Sequence, residues 1–361
     1  MGHIAGPELA AEVSRAGGLG TLGAEGLPSE ELRERIRTLR RRTESPFAVN
    51  VHVPTPESGS PPDEEALRRT MMGLAEARQE LGLPDSREEP VELAQERQRR
   101  NRLHEEQLAV LLQERVPVVS FTGGILDNEW IDQLKRAGIL LIGTATTVSE
   151  GAHLEHQGVD LVVAQGSEAG GERGTFLGAA EQAAVGTMAL VPMLADILHV
   201  PVIAAGGIMD GRGIAAALVL GAQGVQLGTA FLACRESEAS RRTKELVLSS
   251  MEESTVLTRA YTGRLTRALR NHFVAHGSGG EDRIASWPYQ EALTRTIREA
   301  AEEQERPDYM AVYAGQASRL GTDELPAADR LAQLVSETDA AFTRLRELAG
   351  PANTGEGPGE A

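Results

Sequence analysis

The sequence predicts an α/β protein, a TIM (β/α)8-type barrel whose first strand would precede Met1, with a helical C-terminal cap. Three observations lead there. Short apolar runs alternate with longer amphipathic stretches, the pattern of repeated βα units around a parallel sheet. The runs are apolar on both faces, as strands buried between helices and a core require. Composition agrees: 41% hydrophobic, 3% aromatic and 39 glycines suit Val/Ile/Leu-rich strands joined by short glycine turns, not an antiparallel sandwich.

In chain order the expected strands are Leu19–Leu22, Phe47–Val51, Val116–Phe121, Leu140–Thr144, Leu161–Gln165, Val202–Ala205 and Gly224–Leu227. Between them lie helical stretches at Ser29–Arg42, Val91–Arg115, Asn128–Ala137, Val148–His156, Ala183–Leu198 and Gly211–Leu220. Gly138, Gly158 and Gly221 stand where a helix hands over to the next strand, the position that favours a left-handed residue. A closed barrel of this type has eight strands. The chain opens at Met1-Gly2-His3-Ile4-Ala5-Gly6-Pro7, a loop and helix start, so the eighth strand is expected upstream. Residues 54–90, rich in Pro, Ser and Glu, read as an insertion with a helix near Glu64–Leu81. The barrel domain is thus expected over 1–229 and a helical cap over the mouth at 230–348, with no further strand series. The Gly/Pro/Glu-rich tail 349–361 is expected to be disordered.

Charge and cysteine content exclude several functions. A formal net charge of −17 leaves no basic groove for nucleic acid. The run Arg40–Arg42 has Glu31 and Glu34 nearby and reads as a solvated helix face. Cys234 is alone, so neither an intramolecular disulfide nor a cysteine metal site is expected. Glu8 and Glu12 interrupt any signal-peptide core, and no apolar run approaches the roughly 20 residues of a membrane span. These features point to a cytoplasmic protein acting on a small molecule, with a homodimer as one possible assembly.

Active sites of such barrels form at the C-terminal ends of the strands. Ala205 is followed by Gly206-Gly207-Ile208-Met209-Asp210-Gly211 and a helix, and Leu227 by Gly228-Thr229. Glycines let the backbone approach a ligand, converging N–H groups form an anion nest, and a helix N-terminus adds positive charge. One such turn is ordinarily structural. Two, after the last two strands, match the phosphate location of this fold. The third feature is Gln165-Gly166-Ser167-Glu168-Ala169-Gly170-Gly171-Glu172-Arg173-Gly174-Thr175-Phe176. The plain alternative is a solvated loop, but its place at a strand's C-terminal end favours a site.

The run Gln165–Phe176, the turn Ala205-Gly206-Gly207-Ile208, Gly228-Thr229 and Tyr313-Ala314-Gly315-Gln316 resemble the nitronate monooxygenases. Pro7–Gly20 and Phe47–Pro54 with Asn50 extend the resemblance over residues 5–320. That family shares a fold with flavin-dependent enoyl-ACP reductases of type II. The resemblance implies FMN, its phosphate at Gly206, Gly207, Gly228 and Thr229, with Gln316 packing over flavin or phosphate. It implies that Asn50 and Gln165 face the ring system or ribityl chain, and that Gly170 and Gly171 let the loop approach the isoalloxazine. Met1 corresponds to the Met that ends the family's first strand, where a backbone–flavin contact is usual.

The most informative departure is Glu172. The family pattern reads Gly-Gly-His-Arg-Gly, and here the histidine is replaced by glutamate. A buried carboxylate can serve as a base toward an acidic carbon. It cannot supply positive charge, and as an anion it repels a nitronate. Glu172 and Arg173 are therefore the expected catalytic pair, Arg173 as a cation for an anion or as a local partner of Glu168 or Glu172. His3, His52, His272 and His276 are candidate substitutes for the histidine. Ser120, Thr122, Thr144 and Thr146 are candidate hydrogen-bonding groups or turn caps, and Tyr313 packs over the flavin or in a core.

The expected function is oxidation of alkyl nitronates with O2 by an FMN-dependent oxidoreductase. Two alternatives remain open: an NAD(P)H-dependent flavin reductase of the enoyl-thioester type, and a diverged flavin-binding protein lacking the usual histidine.

Overall fold

A computed structural model describes residues 2, 4–54, 62–84, 93–277, 280, 283–321 and 323–349. Met1, His3 and the tail beyond 349 lie outside the described residues, as do parts of the expected insertion.

The barrel half of the chain runs α1 (Pro7–Arg15), β1 (Gly20–Gly23), α2 (Ser29–Arg42), β2 (Phe47–His52), α3 (Glu64–Glu80), α4 (Leu93–Gln113), β3 (Val118–Thr122), α5 (Asn128–Arg136) and β4 (Leu140–Ala145). It continues through α6 (Val148–His156), β5 (Leu161–Gln165), β6 (Gly171–Glu172), α7 (Thr187–Ala195), β7 (Val202–Ala205), α8 (Gly211–Val219) and β8 (Gly224–Gln226). Then follow α9 (Thr229–Leu232), α10 (Arg241–Leu248), β9 (Thr255–Thr258), β10 (Thr266–Leu269), α11 (Tyr289–Glu303) and α12 (Ala327–Ala349). The seven expected barrel strands are all present, and they pair in parallel in the order β1-β2-β3-β4-β5-β7-β8, a curled sheet. This is the α/β barrel architecture that the sequence predicts.

Successive side chains of a strand point to opposite faces, and here the two faces differ. Val49, Val51, Val119, Phe121, Val162, Ala164, Val202 and Ala204 face outward into the main core beneath the helices. Ala48, Val118, Ile142, Val163 and Ala205 face inward and form a separate small cluster. Further along the same inward register come Asn50 and His52, Ser120 and Thr122, Thr144, and Gln165. The interior is apolar at the strands' N-terminal ends and polar at their C-terminal ends. That gradient sets the mouth apart as the place for chemistry.

Two expectations are corrected. The stretch beyond Gly228 is not free of strands: β9 and β10 pair antiparallel, and β10 also pairs with β6, giving a three-stranded sheet. Thr255–Leu269 carries Thr, Val and Arg in short runs without a sustained apolar alternation, so its strands are defined by their pairing with each other and with the distant β6. Nor does all of 230–348 lie over the mouth. Leu232, Val247, Tyr261, Phe273, Leu293, Ile297 and Met310 share a second core with Leu74, Ala77 and Leu81 of α3. The inserted helix is thereby built into the cap, with Arg78 Nη1 donating to Thr296 Oγ1 at 3.0 Å and Gln304 Nε2 to the Leu81 carbonyl at 3.0 Å. In contrast, α12 packs on α8 and α1 around Leu9, Met209, Phe231 and Leu334, on the outer ring. No described helix is long and apolar enough to cross a membrane.

Candidate active site

The loop after β5 is pinned from several sides. Arg173 is 2% exposed and its guanidinium donates to the carbonyls of Gln165 (2.9 Å), Gly166 (2.6 Å) and Ala183 (3.0 Å). Burial pulls its pKa down to about 10, still a cation at neutral pH. Its partners are backbone oxygens and the Gln165 side-chain amide oxygen rather than Glu168 or Glu172, so its geometry is that of a clamp. Glu168 is engaged elsewhere, accepting from Thr187 N (2.8 Å) and Thr187 Oγ1 (3.0 Å) at the start of α7. Arg267 of β10 donates from Nε to the Ser167 carbonyl at 2.8 Å.

The expected cofactor glycines converge. Gly206 and Gly207 have φ of +108° and +72°, where L side chains are strained. A Cβ on Gly206 would stand 2.9 Å from Ala169 N, and one on Gly170 would stand 2.5 Å from the Ala314 carbonyl carbon. Gly315 N donates to Thr229 Oγ1 at 2.9 Å and Gln316 N to the Glu168 carbonyl at 2.8 Å. Residues 166–171, 206–207, 228–229 and 315–316 therefore form one continuous backbone cradle. A cleft of about 730 Å³ opens beside it, with Gly206, Gly207, Thr187 and Gln316 at its inner end and Val219 and Leu345 on its apolar outer wall.

The N-terminus of α8 is not open to an anion. The first turn of α8 is already capped by carboxylates: Asp210 accepts from Arg212 N (3.0 Å) and Gly213 N (3.1 Å), and Glu337 of α12 accepts from Gly211 N (3.0 Å). An anion there would meet like charge. The cradle therefore rests on the glycine backbone and on Gly228-Thr229, not on α8.

At the other end of the mouth, Asn50 Nδ2 donates to Ser120 Oγ at 2.9 Å across β2 and β3. Gln165 holds the loop through its amide: Nε2 donates to the Glu172 carbonyl, and Oε1 accepts from Gly174 N. Gly171 (φ +84°) and Glu172 form β6, which places the Glu172 carboxyl beside His52 and Glu25, the three side chains lying within 4.8 Å of one another. Burial, with Glu25 and Glu291 nearby, pushes the Glu172 carboxyl up to about 7 against the opposing pull of Arg264. Glu25 is raised as well, by burial and by Glu291. Burial and the Arg264 and Arg100 cations push His52 well below its ordinary range, so it is neutral at pH 7.

Arg264, which enters from just before β10, reaches this cluster with its Nη1 in hydrogen-bond contact with His52 Nε2 and 3.9 Å from Glu172 Oε2. Its guanidinium lies 3.9 Å from the Trp287 ring centroid. Behind Trp287, Arg100 pairs with Glu291 at 2.8 Å, and Trp287 Nε1 donates to the same carboxylate at 3.1 Å. With a guanidinium against His52, a metal ion among Glu25, His52 and Glu172 would meet a fixed positive charge, so the trio does not suit one.

Of the candidate histidines among the described residues, His52 is the one brought to Glu172, and His3 lies outside those residues. His272 stands against Glu76 (3.5 Å) and Tyr309 within the cap, and His276 rests on His272. Thr146 Oγ1 donates to Glu150 Oε2 at 2.7 Å, a local cap, while Thr122 Oγ1 and Thr144 Cγ2 pack under Gly174. Tyr313 meets Tyr261 edge-on at 6.2 Å within the cap core and feels the Glu172 charge, which with burial raises its pKa. Sequence reasoning missed Glu25, Arg264, Trp287, Glu291 and Arg100. Glu25 had a signal, lying two residues past a strand's C-terminal end; the others come from a cap loop, α4 and α11, with no motif.

Comparison with known proteins agrees with this geometry. The nitronate monooxygenase family model matches residues 1–337. A Staphylococcus aureus (strain Newman) protein described as a probable nitronate monooxygenase is 41% identical over 332 residues, 92% of this chain and 90% of its own. The structure of nitroalkane oxidase from Streptomyces ansochromogenes superimposes with a TM-score of 0.84 at 38% identity, covering 96% of this chain and 95% of that one. FabK from Thermotoga maritima follows at a TM-score of 0.74 and 28% identity, covering 96% and 93%. The chain belongs to the nitronate monooxygenase family, a family of flavin-dependent oxidoreductases.

Proposed function

We propose that this enzyme binds FMN and oxidises small alkyl nitronates, or the carbon acids that give rise to them, with O2. The observation that carries the reading is the pairing, in one barrel mouth, of a glycine cradle and a carboxyl poised near neutrality. The cradle suits a phosphate because glycine at 206 and 170 lets these backbone segments close on one another, where a Cβ would collide with Ala169 and Ala314, and backbone N–H groups brought together in this way can hold an anion. Gly206, Gly207, Gly228, Thr229 and Gln316 would hold the phosphate, Asn50 and Gln165 would face the ring or ribityl chain, and Gly170 and Gly171 would admit the ring. Bound there, the cofactor would supply the electron acceptor for the substrate and the place where O2 is reduced.

The chain's own residues supply the proton chemistry. Glu172 takes a proton from the carbon beside the nitro group, and its pKa of about 7 matches that task near neutral pH. Arg173 acts as a positioning residue, fixing the loop that carries Glu172 through the carbonyls of Gln165 and Gly166.

The test is the absorbance spectrum of the purified protein with added FMN, together with oxygen uptake on propyl nitronate. Retained flavin and nitronate-dependent oxygen uptake are expected. No flavin absorbance after FMN addition would sink the reading. Loss of NADPH with a crotonyl thioester, without nitronate activity, would favour the FabK-like alternative.

A further inference from the structure

We propose that Arg264, seated on Trp287 and hydrogen-bonded to His52 beside Glu172, is the cation that binds the anionic head of the substrate. The inference rests on the reading that this cluster lines the reaction face. It resolves the difficulty raised by Glu172, which cannot supply the positive charge that a histidine would. The charge comes instead from a guanidinium outside the loop motif.

The geometry supports this in three ways. Arg264 is fixed: its side chain is 11% exposed, flat over Trp287 at 3.9 Å, with Nη1 on His52 Nε2. A buried guanidinium keeps its charge and presents a planar fork, which matches the two oxygens of a nitronate as it would a carboxylate. Gly123, just past β3, lets His52 and Arg264 close on the strand end, since a Cβ there would lie 2.7 Å from His52 Cε1 and 2.9 Å from Arg264 Nη1.

The charges then balance through the reaction. With a neutral nitroalkane, the C–H proton moves to a Glu172 oxygen, and the negative charge moves from that carboxylate to the nitro oxygens facing Arg264. With a preformed nitronate, the anion replaces the Glu172 carboxylate as the counter-charge, so Glu172 must be protonated for it to bind. The other groups around the cluster are Glu25 after β1, His52 on β2, Arg100 and His104 on α4, Glu291 on α11 and Tyr313 from the cap. Burial brings His104 down to about 4 and His52 lower than its usual range, so neither titrates between pH 6 and 8. Glu25 and Glu172 are the carboxyls raised toward that window.

The experiment uses nitrate, a planar unreactive anion, titrated into the flavin-loaded enzyme and read by Trp287 emission in a Trp130→Phe background. Saturable binding is expected, about tenfold weaker at pH 8 than at pH 6 as a carboxyl of pKa near 7 ionises. Binding should be lost in R264Q, weakened in R264K, and independent of pH in the E25Q/E172Q double variant, which keeps the guanidinium. Nitrate binding unchanged in both R264Q and R264K would overturn the proposal, as would no nitrate signal in protein that retains flavin and oxidises nitronate. Nitrate binding of the expected kind without nitronate oxidation would instead overturn the proposed function and leave Arg264 as an anion site.

Discussion

Gln165 Nε2 donates to the Glu172 carbonyl oxygen at 3.0 Å, while Gln165 Oε1 accepts from Gly174 N at 2.7 Å and from Arg173 Nη1 at 3.2 Å. One amide at the end of β5 thus spans the loop from Glu172 to Gly174. Q165L keeps the apolar bulk and removes all three contacts. The expected result is a stability loss of about 1–3 kcal/mol, from the unsatisfied backbone groups. A roughly 10- to 100-fold fall in kcat/KM should accompany it, because a displacement of about 1 Å at a reacting group costs that much. Thermal melts and steady-state assays check both. A lower Tm with unchanged kcat/KM would show that the amide serves stability alone.

Glu172 also links stability to pH. Its folded-state pKa is raised from 4.5 to about 7, so the folded protein binds the proton more tightly than the unfolded chain. The resulting stabilisation is full below about pH 4.5 and is lost as pH rises through 7. With the side chain 19% exposed, solvent screening reduces the effect to about 1–2 kcal/mol. Melts between pH 5 and 8 should show a decline in the parent enzyme that is shallower in E172Q. Equal slopes would mean that another group carries the titration. Activity runs the opposite way: kcat/KM for a neutral nitroalkane should rise through pH 7 as the carboxylate forms.

The glycine cradle makes its own prediction. Gly207 has φ +72°, and a Cβ there would stand 3.0 Å from Glu168 Cβ. G207A forces a left-handed alanine, with about 1–3 kcal/mol of strain, and moves the backbone groups that would meet the phosphate. Flavin affinity should fall at least about tenfold, measured by the fluorescence of released FMN on dilution. The fold should survive, since the turn is at the surface of the sheet's end. Unaltered FMN affinity would place the phosphate elsewhere.

What the sequence revealed follows from how locally each feature is encoded. The strands were legible because Phe47–Val51 or Leu161–Gln165 are apolar on alternate and adjacent positions alike, and glycines close each βα unit. Asn50 and Gln165 were legible through the family resemblance, and Ser120 because it closes a strand. The end of the mouth that holds Arg264 was not. Arg264 and Trp287 stand in cap segments with no motif, beside short polar strands that pair with each other and with β6, and Arg100 lies on a helix whose pattern reads as solvent-facing. The union of α3 with α11 was hidden for the same reason, as it depends on packing across more than two hundred residues of chain.

Replacing Glu172 with histidine separates two accounts of the departure from the family pattern. If the protein merely lost its catalytic group, E172H restores it and nitronate oxidation increases. The cluster argues otherwise. An imidazole at this position would stand close to the Arg264 guanidinium, which lies 3.9 Å from the present carboxyl, and beside a neutral His52. Protonation there would add a second positive charge in a buried site, so the new histidine would stay neutral at pH 7 and bring no cation. It would also remove the carboxyl that balances Arg264 before substrate arrives. The expected outcome is a fall of about tenfold or more in kcat/KM for the nitroalkane, in line with the loss of a positioned base. Flavin content should be unchanged, because the residues that would hold the phosphate, Gly206, Gly207, Gly228 and Thr229, make no contact with the Glu172 side chain. A gain in activity on nitronate would show instead that Arg264 does not supply the charge, and that the scaffold awaits its histidine.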